Sequence, residues 1–196
     1  MGKVMSLINT TPDGFVDAQY VTTDSEYFGF VHSLLSDTDT VAFGRNSFEL
    51  FQGIWPSRMD RDKATEWQVK MATALHEIPK TVYSSTLKTT TWNNSTIVKK
   101  VDAEHINAYK EENKGGLLTF ASLNLVAALT EMNLIDDYYF CIQPLIAGRG
   151  EVRLFDQLKL DNHRVLNYVD STALKSGVHI IHYERVQQLA HAHNVL

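Results

Sequence analysis

The sequence has too few cysteines for a disulfide-stabilised protein, and its apolar runs are too short for a membrane-spanning one. Its single cysteine, Cys141, cannot form a disulfide within the chain, which favours a reducing compartment. Cys141 lies in an apolar run, so we interpret it as a small buried hydrophobic residue rather than a nucleophile. No stretch approaches the roughly 20 apolar residues of a membrane span, and the N-terminus lacks the apolar core of a signal peptide. We therefore predict a cytoplasmic protein without a membrane partner.

The chain also lacks a basic excess and several catalytic motifs. Acidic residues outnumber Lys and Arg by 23 to 18, and the net charge of −5 argues against a broad nucleic-acid surface. There is no Walker loop, no G-x-G-x-x-G, no G-x-S-x-G and no Cys/His cluster with zinc spacing. His191 and His193 could chelate a metal adventitiously, but we interpret them as part of a mobile tail. We predict no metal site and no nucleic-acid partner.

The remaining composition is that of a globular α/β protein. Hydrophobic residues make up 44% of the 196 residues, enough for one domain with a substantial core. Over the first two-thirds, short apolar runs alternate with segments whose apolar residues recur at three- and four-residue spacing. The last third has three strand-like runs, at 138–142, 164–169 and 179–183. The pattern predicts a mixed, mainly parallel sheet with helices on both faces and antiparallel C-terminal strands, in one domain at 1–186 with a tail at 187–196.

Three predicted strands end in residue types that can bind an anion. The segments that follow these strands are Gly44-Arg45-Asn46-Ser47, Ser84-Ser85 and Ala121-Ser122-Leu123. Ligands of open α/β sheets bind beyond the carboxyl ends of strands, where free N–H groups at helix N-termini favour phosphate. Gly44 would let the backbone approach an anion, and Arg45 offers a planar cationic fork. Each segment alone also fits a turn, a helix cap or a solvated arginine, but clustered they could hold a dinucleotide.

In their order and spacing, these segments resemble the dihydrofolate reductase superfamily. The resemblance is greatest to bacterial proteins related to the reductase domain of the riboflavin-pathway bifunctional deaminase-reductase. It covers about residues 3–186. The motifs that carry it are TPDGFVD, DTVAFGRNSFELF, GIWP, KTVYSSTLK, the segment from LLTFASLN to IAGRG, and RLF. The resemblance implies a three-layer fold, NADPH as cofactor and hydride transfer to a small pterin- or pyrimidine-like substrate.

The resemblance also assigns roles to individual residues. Arg45, with Ser84 and Ser85, would lie near the 2′-phosphate of the adenosine ribose, and Asp13 would belong to the loop that flanks the nicotinamide and the substrate. The residues implied for cofactor binding are Thr10, Gly44, Arg45, Asn46, Ser47, Ser84, Ser85, Lys99, Phe120, Ala121, Ser122 and Leu123. Trp55 is a candidate for lining a flat-ring substrate pocket, although an aromatic residue packed beneath a loop explains it equally well.

Two departures from the family pattern bear on cofactor binding. The pyrophosphate segment of relatives carries paired glycines or glycine followed by serine, whereas this chain has Ala121-Ser122. A Cβ atom at position 121 disfavours a positive φ or a cis bond, so cofactor affinity could be reduced or lost. Pro12 stiffens the loop nearest the nicotinamide.

The candidate proton donors lie on the first predicted helix. Asp24 and Glu26 lie at the start of the first predicted helix and are the candidate catalytic acids, although each also fits a helix cap or a first-turn acid. The lack of an obvious acid argues against dihydrofolate itself as substrate. The alternative function is a non-catalytic binding module or dimer of the same fold. The resemblance further implies a homodimer, with the final strands supplying an apolar face.

Overall fold

Eight strands and five α-helices make up the computed structural model, which describes residues 1–186. The strands are β1 (Val4–Thr10), β2 (Thr38–Gly44), β3 (Lys80–Tyr83), β4 (Ser95–Val98), β5 (Gly116–Phe120), β6 (Asp137–Ile142), β7 (Leu166–Ala173) and β8 (His179–Arg185). The helices are α1 (Ser25–Ser36), α2 (Arg45–Ile54), α3 (Glu66–Glu77), α4 (Ala103–Glu112) and α5 (Leu123–Glu131). Short 3-10 helices occupy Ala18–Tyr20 and Pro56–Met59.

All eight strands join one sheet in the order β4-β3-β2-β5-β1-β6-β8-β7. The six strands from β4 to β6 in this order run parallel to their neighbours. At the far edge, β8 pairs antiparallel with β6, and β7 pairs antiparallel with β8. The mixed, mainly parallel sheet with antiparallel C-terminal strands is therefore confirmed.

Helices cover both faces of the sheet, because successive strand residues point to opposite faces and the residues on both faces are apolar. Leu7 of β1 and Phe43 of β2 point to one face, where they belong to the core beneath α1, α2 and α3. The neighbouring residues Ile8 and Ala42 point to the other face and join the core beneath α4 and α5. Because the parallel strands are buried on both sides, they read as near-continuous apolar runs.

Helix α3 begins later than the periodicity predicts. Apolar spacing alone predicts a helix over 60–76, but α3 starts at Glu66 because Thr65 and Gln68 form a capping box. The Thr65 hydroxyl accepts from the N–H of Gln68, and the Gln68 side chain accepts from the N–H of Thr65. Asn133 follows α5 with a positive φ of 57°, a left-handed conformation that asparagine tolerates better than most residues.

Two predicted features concern membranes and metals. Among residues 1–186, no helix has the length and apolar character needed to cross a bilayer. In the same range, no three His, Cys, Asp or Glu side chains are grouped so that they could hold a metal ion. The predicted tail at 187–196, with His191 and His193, lies outside the described residues.

Candidate active site

An open cleft lies beyond the carboxyl ends of β2, β3, β4 and β5. Because β2 lies between β3 and β5, the segments that follow these strands are brought side by side. The cleft has a volume of about 810 Å³, at the upper end of the range for small-molecule and cofactor sites. Its lining includes ten residues that the sequence predicts to bind the cofactor: Gly44, Arg45, Asn46, Ser47, Ser84, Ser85, Lys99, Ala121, Ser122 and Leu123.

The two other predicted cofactor residues, Thr10 and Phe120, do not line this cleft. They end β1 and β5, and both are 5% exposed. Phe120 directly precedes Ala121 and pairs in register with Leu7 of β1, so it lies at the inner end of the cleft. Thr10 and Phe120 are thus buried at strand ends and are not part of the cleft surface.

The ends of β2 and β5 are joined directly by hydrogen bonds. The backbone N–H of Gly44 donates to Oγ of Ser122 at 3.0 Å, and Oγ of Ser47 donates to the carbonyl oxygen of Ala121 at 3.3 Å. Gly44 has φ −79° and ψ 163°, which any residue can adopt. A Cβ atom at position 44 would lie 3.8 Å from Cβ of Ser122, an ordinary contact. Neither the backbone nor the surrounding protein therefore requires glycine at this position.

Helices α2 and α5 both begin at the cleft without a side-chain cap. Gly44 precedes α2 and has no side chain with which to cap it. Ser122 is the N-cap residue of α5, as the sequence predicts, but its hydroxyl accepts from Gly44 and makes no capping hydrogen bond. The free N–H groups of two helix N-termini therefore meet at one cleft, an arrangement that favours an anion.

Ala121 takes the left-handed conformation that its Cβ atom disfavours. Its φ is 40°, and its N–H donates to the carbonyl of Leu7 at 3.2 Å. Ser122 follows with φ −83° and ψ 69°, and the N–H of Leu123 donates to the carbonyl of Ala121, so the three residues form an inverse γ-turn. The chain thus keeps a turn suited to glycine at a cost of about 1–2 kcal/mol for the left-handed alanine.

The guanidinium of Arg45 is held at the mouth of the cleft. Its Nε donates to Oε1 of Glu49 and its Nη1 donates to Oγ1 of Thr86, both at 2.9 Å. The Arg45 side chain is 46% exposed, and Arg45 lines the cleft. Ser84 is buried, and its Oγ accepts from the N–H of Leu87 at 3.0 Å, which gives it a turn-forming contact. Ser85 is exposed.

The outer wall of the cleft comes from a loop that sequence reasoning missed as a site element. Residues 151–153 and 155–157 line the cleft and bring Arg153 to a site that already holds Lys99 and Lys100. Glu151 and Asp156 are acidic members of the same wall. The only sequence signal was the RLF motif, which predicts no position in space.

Asp13 joins the loop that follows β1 to residues 147–148, which precede this wall in the chain. Its carboxylate accepts from the N–H groups of Ala147 at 3.1 Å and Gly148 at 2.7 Å. A hydrogen bond from Thr11, with those of Gly148 and Ala147, lowers the pKa of Asp13 to about 2. In return, Nη1 of Arg153 donates to the carbonyl of Asp13 at 3.1 Å. Asp13, a predicted substrate residue, thus joins two loops through its side chain.

The two candidate acids lie away from the cleft lining. Asp24 is the N-cap of α1 and accepts from the N–H of Tyr27 at 2.8 Å, a contact that lowers its pKa. Glu26 accepts from the backbone N–H of Lys175, which lowers its pKa, and forms an ion pair with the Lys175 side chain at 2.9 Å. Both carboxylates are held in the ionised form and act in structural contacts, as the cap interpretation predicts.

Trp55 belongs to a cluster of aromatic rings on the α1 and α2 side of the sheet. Its ring is 6.1 Å from Phe28, edge to face, and 6.2 Å from Phe51. Phe51 in turn lies 5.7 Å from Phe120. Trp55 and Phe51 are half-buried, so this cluster combines core packing with exposed ring surface.

The sheet order and the cleft at its parallel strand ends define a dihydrofolate reductase-like α/β protein. The chain is similar in structure to dihydrofolate reductase from Enterococcus faecalis complexed with NADP(H) and RAB-propyl, with a TM-score of 0.56 and 13% identity. That similarity covers 95% of this chain and 98% of the reductase. At this identity the likeness concerns the fold, and it confirms the three-layer architecture.

The chain belongs to the RibD C-terminal domain family, whose model matches residues 3–180. This membership points to a reductase-type enzyme. A relative, the uncharacterized protein YyaP of Bacillus subtilis (strain 168), is 25% identical over 181 residues, covering 90% of this chain and 91% of YyaP.

A bifunctional enzyme offers a further structural comparison. The fold is similar to the diaminohydroxyphosphoribosylaminopyrimidine deaminase/5-amino-6-(5-phosphoribosylamino)uracil reductase of Thermotoga maritima, with a TM-score of 0.65 and 11% identity. The similarity covers 94% of this chain but only 56% of the Thermotoga protein. The resemblance to riboflavin-pathway reductase domains is therefore confirmed.

Proposed function

We propose that the protein is an NADPH-dependent reductase that transfers hydride to a small pterin- or pyrimidine-like heterocycle. One observation carries this proposal: two uncapped helix N-termini and the cations Arg45 and Lys99 converge on a single cleft. Membership of the RibD C-terminal domain family supports reductase chemistry. The fold is shared with a dihydrofolate reductase whose structure holds NADP(H), which supports the choice of cofactor.

The proposed binding mode follows the charges along the cleft. The pyrophosphate would lie between the N-termini of α2 and α5, where free N–H groups favour negative charge. The 2′-phosphate would rest on Arg45, which Glu49 and Thr86 already orient, with Ser85 and Lys99 beside it. The nicotinamide end would approach the buried strand ends at Thr10 and Phe120. When bound, the cofactor supplies the hydride, and these residues only bind and orient it.

Calorimetric titration with NADPH and NADH tests the cofactor assignment. We expect Arg45→Ala to weaken NADPH binding roughly 10- to 100-fold, because a hydrogen-bonded charge pair with the 2′-phosphate is lost. NADH lacks this phosphate and should be affected by less than about threefold on the same reasoning. Arg58→Ala is the matched control, because Arg58 lies on the 3-10 helix outside the cleft lining.

Two outcomes would contradict the proposal in different ways. Equal losses for NADPH and NADH in Arg45→Ala would refute the 2′-phosphate assignment while leaving a dinucleotide site. No saturable binding of either nucleotide by the natural sequence would refute the cofactor itself. That second result would favour the alternative function, a non-catalytic binding module, for which the left-handed Ala121 is the motivating observation.

We also propose that the protein works in the cytoplasm as a homodimer. Strand β7 forms an edge of the sheet and is exposed along almost its whole length, including Tyr168 at 62% and Val169 at 42%. Such an edge presents unpaired backbone groups and apolar side chains to a second copy. Light scattering coupled to size-exclusion chromatography tests this. A monomer at all concentrations, or a dimer unaffected by Val169→Lys, would exclude this interface.

A further inference from the structure

A chain of hydrogen bonds crosses the ends of β1 and β6 on the α1 side of the sheet. The backbone N–H of Thr22 donates to Oε1 of Gln143 at 2.8 Å. Nε2 of Gln143 donates to Oδ1 of Asn9 at 3.1 Å. Nδ2 of Asn9 donates to the hydroxyl oxygen of Tyr27 at 2.7 Å. Gln143 is 1% exposed and Tyr27 is 6% exposed, so this chain lies inside the protein.

The direction of this chain is set by its first member. A backbone N–H can only donate, so Gln143 must turn its amide oxygen to Thr22 and its NH₂ group to Asn9. Asn9 must then accept with its own amide oxygen and present its NH₂ group to Tyr27. Turning either amide around would place two donors or two acceptors face to face, which makes the assignment of oxygen and nitrogen unambiguous.

Tyr27 is therefore forced to accept a hydrogen bond from Asn9 and to direct its own proton elsewhere. Among residues 1–186, the Asn9 contact is the one hydrogen bond that the Tyr27 hydroxyl forms, so its proton has no acceptor there. Burial raises the pKa of Tyr27, so the phenol keeps this proton at neutral pH. A buried donor without an acceptor costs free energy, and a ligand that offers an acceptor would recover it.

An arc of aromatic rings connects Tyr27 to the inner end of the cleft. Tyr27 lies 6.0 Å from Phe28, and Phe28 lies 6.1 Å from Trp55. The arc continues from Trp55 through Phe51 to Phe120, which precedes Ala121 of the cleft. Aromatic faces of this kind suit a planar ring, and the half-buried Trp55 and Phe51 leave ring surface available.

We propose that Tyr27 is the hydrogen-bond donor of a substrate subsite bordered by this arc, and that the subsite takes a planar heterocycle that presents a carbonyl oxygen at that edge. This inference rests on the proposed function, because it places the subsite beside the nicotinamide end of the cofactor. Asn9 is a positioning residue that sets the direction of the Tyr27 proton. A heterocycle that presents an amino group at the same edge places its N–H donors against the O–H donor of Tyr27 and therefore binds more weakly.

Two pteridines that differ at their exocyclic groups test this selectivity. Lumazine (pteridine-2,4-dione) carries carbonyl acceptors, and 2,4-diaminopteridine carries amino donors. Each is titrated by fluorescence into the protein with and without saturating NADP⁺, which binds without reducing the probe. We expect the natural sequence to bind lumazine more tightly than 2,4-diaminopteridine. Tyr27→Phe should lower the affinity for lumazine about tenfold, as expected for loss of one neutral hydrogen bond, and should leave the affinity for 2,4-diaminopteridine unchanged.

A second variant tests the direction of the chain rather than the presence of the phenol. Asn9→Asp keeps a polar group of the same shape but replaces the donor to Tyr27 with an acceptor, which draws the Tyr27 proton inward. Asn9→Asp should lower the affinity for lumazine as Tyr27→Phe does, although the Asn9→Asp variant retains the Tyr27 hydroxyl. Tyr138→Phe is the matched control, since it removes another buried hydroxyl that bonds Thr130 on the opposite face of the sheet. It should leave both pteridines unaffected.

The outcomes separate this inference from the proposed function. Unchanged lumazine affinity in both Tyr27→Phe and Asn9→Asp overturns the role of Tyr27, as does the absence of lumazine binding to the natural sequence at millimolar probe. Failure to bind NADP⁺ with lumazine binding intact refutes the cofactor proposal but not the donor. If Tyr27→Phe does not fold, Asn9→Asp alone decides between the outcomes.

Discussion

Gly44→Ala separates the contribution of Gly44 to folding from its contribution to ligand binding. The backbone at Gly44, with φ −79° and ψ 163°, suits alanine, and the added Cβ would lie 3.8 Å from Cβ of Ser122. Replacing glycine restricts the unfolded chain and stabilises by about 0.4–1 kcal/mol. Alanine is a poorer N-cap than glycine, however, and costs a similar amount. We expect the free energy of unfolding to change by less than about 1 kcal/mol, a melting shift below about 4 °C.

The same substitution should be severe for the cofactor. Position 44 lines the cleft beside the uncapped N-terminus of α2, where the proposed pyrophosphate approaches the backbone. A methyl group there displaces the phosphate from the N–H groups, and we expect NADPH affinity to fall by at least about tenfold, equivalent to loss of one charge-assisted hydrogen bond. Urea unfolding and calorimetric titration measure the two quantities independently.

Gly53→Ala is the matched control on the same helix. Gly53 lies within α2, and a Cβ atom there would contact nothing within 4 Å. This variant should be stabilised by up to about 1 kcal/mol because alanine favours the helix, and it should bind NADPH unchanged. Equal NADPH affinity in Gly44→Ala and the natural sequence would refute the close approach of phosphate to this backbone. Strong destabilisation by Gly44→Ala would refute the steric argument.

Two further predictions concern Ala121 and Lys80. Ala121→Gly should relieve the left-handed conformation at φ 40° and raise the free energy of unfolding by about 1 kcal/mol in urea denaturation; a loss of stability would contradict the strain. Burial lowers the pKa of Lys80 from 10.5 to about 8, although its ammonium donates to the carbonyls of Leu75, His76 and Ile78. The folded state releases this proton at a lower pH than the unfolded state. The free energy of unfolding should therefore rise by up to about 3 kcal/mol as pH increases from about 8 to 10.5. Urea unfolding should show that Lys80→Met abolishes this rise, and the same pH dependence in the variant and the natural sequence would contradict the prediction.

The local patterns of the sequence predict the β2–α2 junction well. The apolar run of β2 stops at Gly44, and a helix-forming period starts at once behind it, so strand, break and helix are all encoded within a dozen residues. The start of α3 is a local feature that was nevertheless missed. There the apolar period extends to residue 60, and the capping box of Thr65 overrides it.

Contacts between distant segments could not be predicted in the same way. The hydrogen bond from Gly44 to Ser122 depends on β2 lying beside β5, a sheet order that no local period reveals. The hydrogen bond from the N–H of Gly148 to the Asp13 carboxylate joins positions 135 residues apart. Tyr27 reads in the sequence only as an apolar position of α1, because the direction of its hydroxyl proton depends on Gln143 and Thr22.

The hydrogen bonds between the ends of β2 and β5 also bear on the thermodynamics of ligand binding. Because hydrogen bonds within the protein join Gly44 to Ser122 and Ser47 to Ala121, the relative positions of the two helix N-termini are fixed by the protein itself and do not depend on an anion. These strand ends are ordered during folding, so a ligand that binds there loses only its own freedom and that of the loops around it. Conformational change on binding should then concentrate in the two loops joined by Asp13. Amide exchange should slow in those loops, while protection at the ends of β2 and β5 stays unchanged.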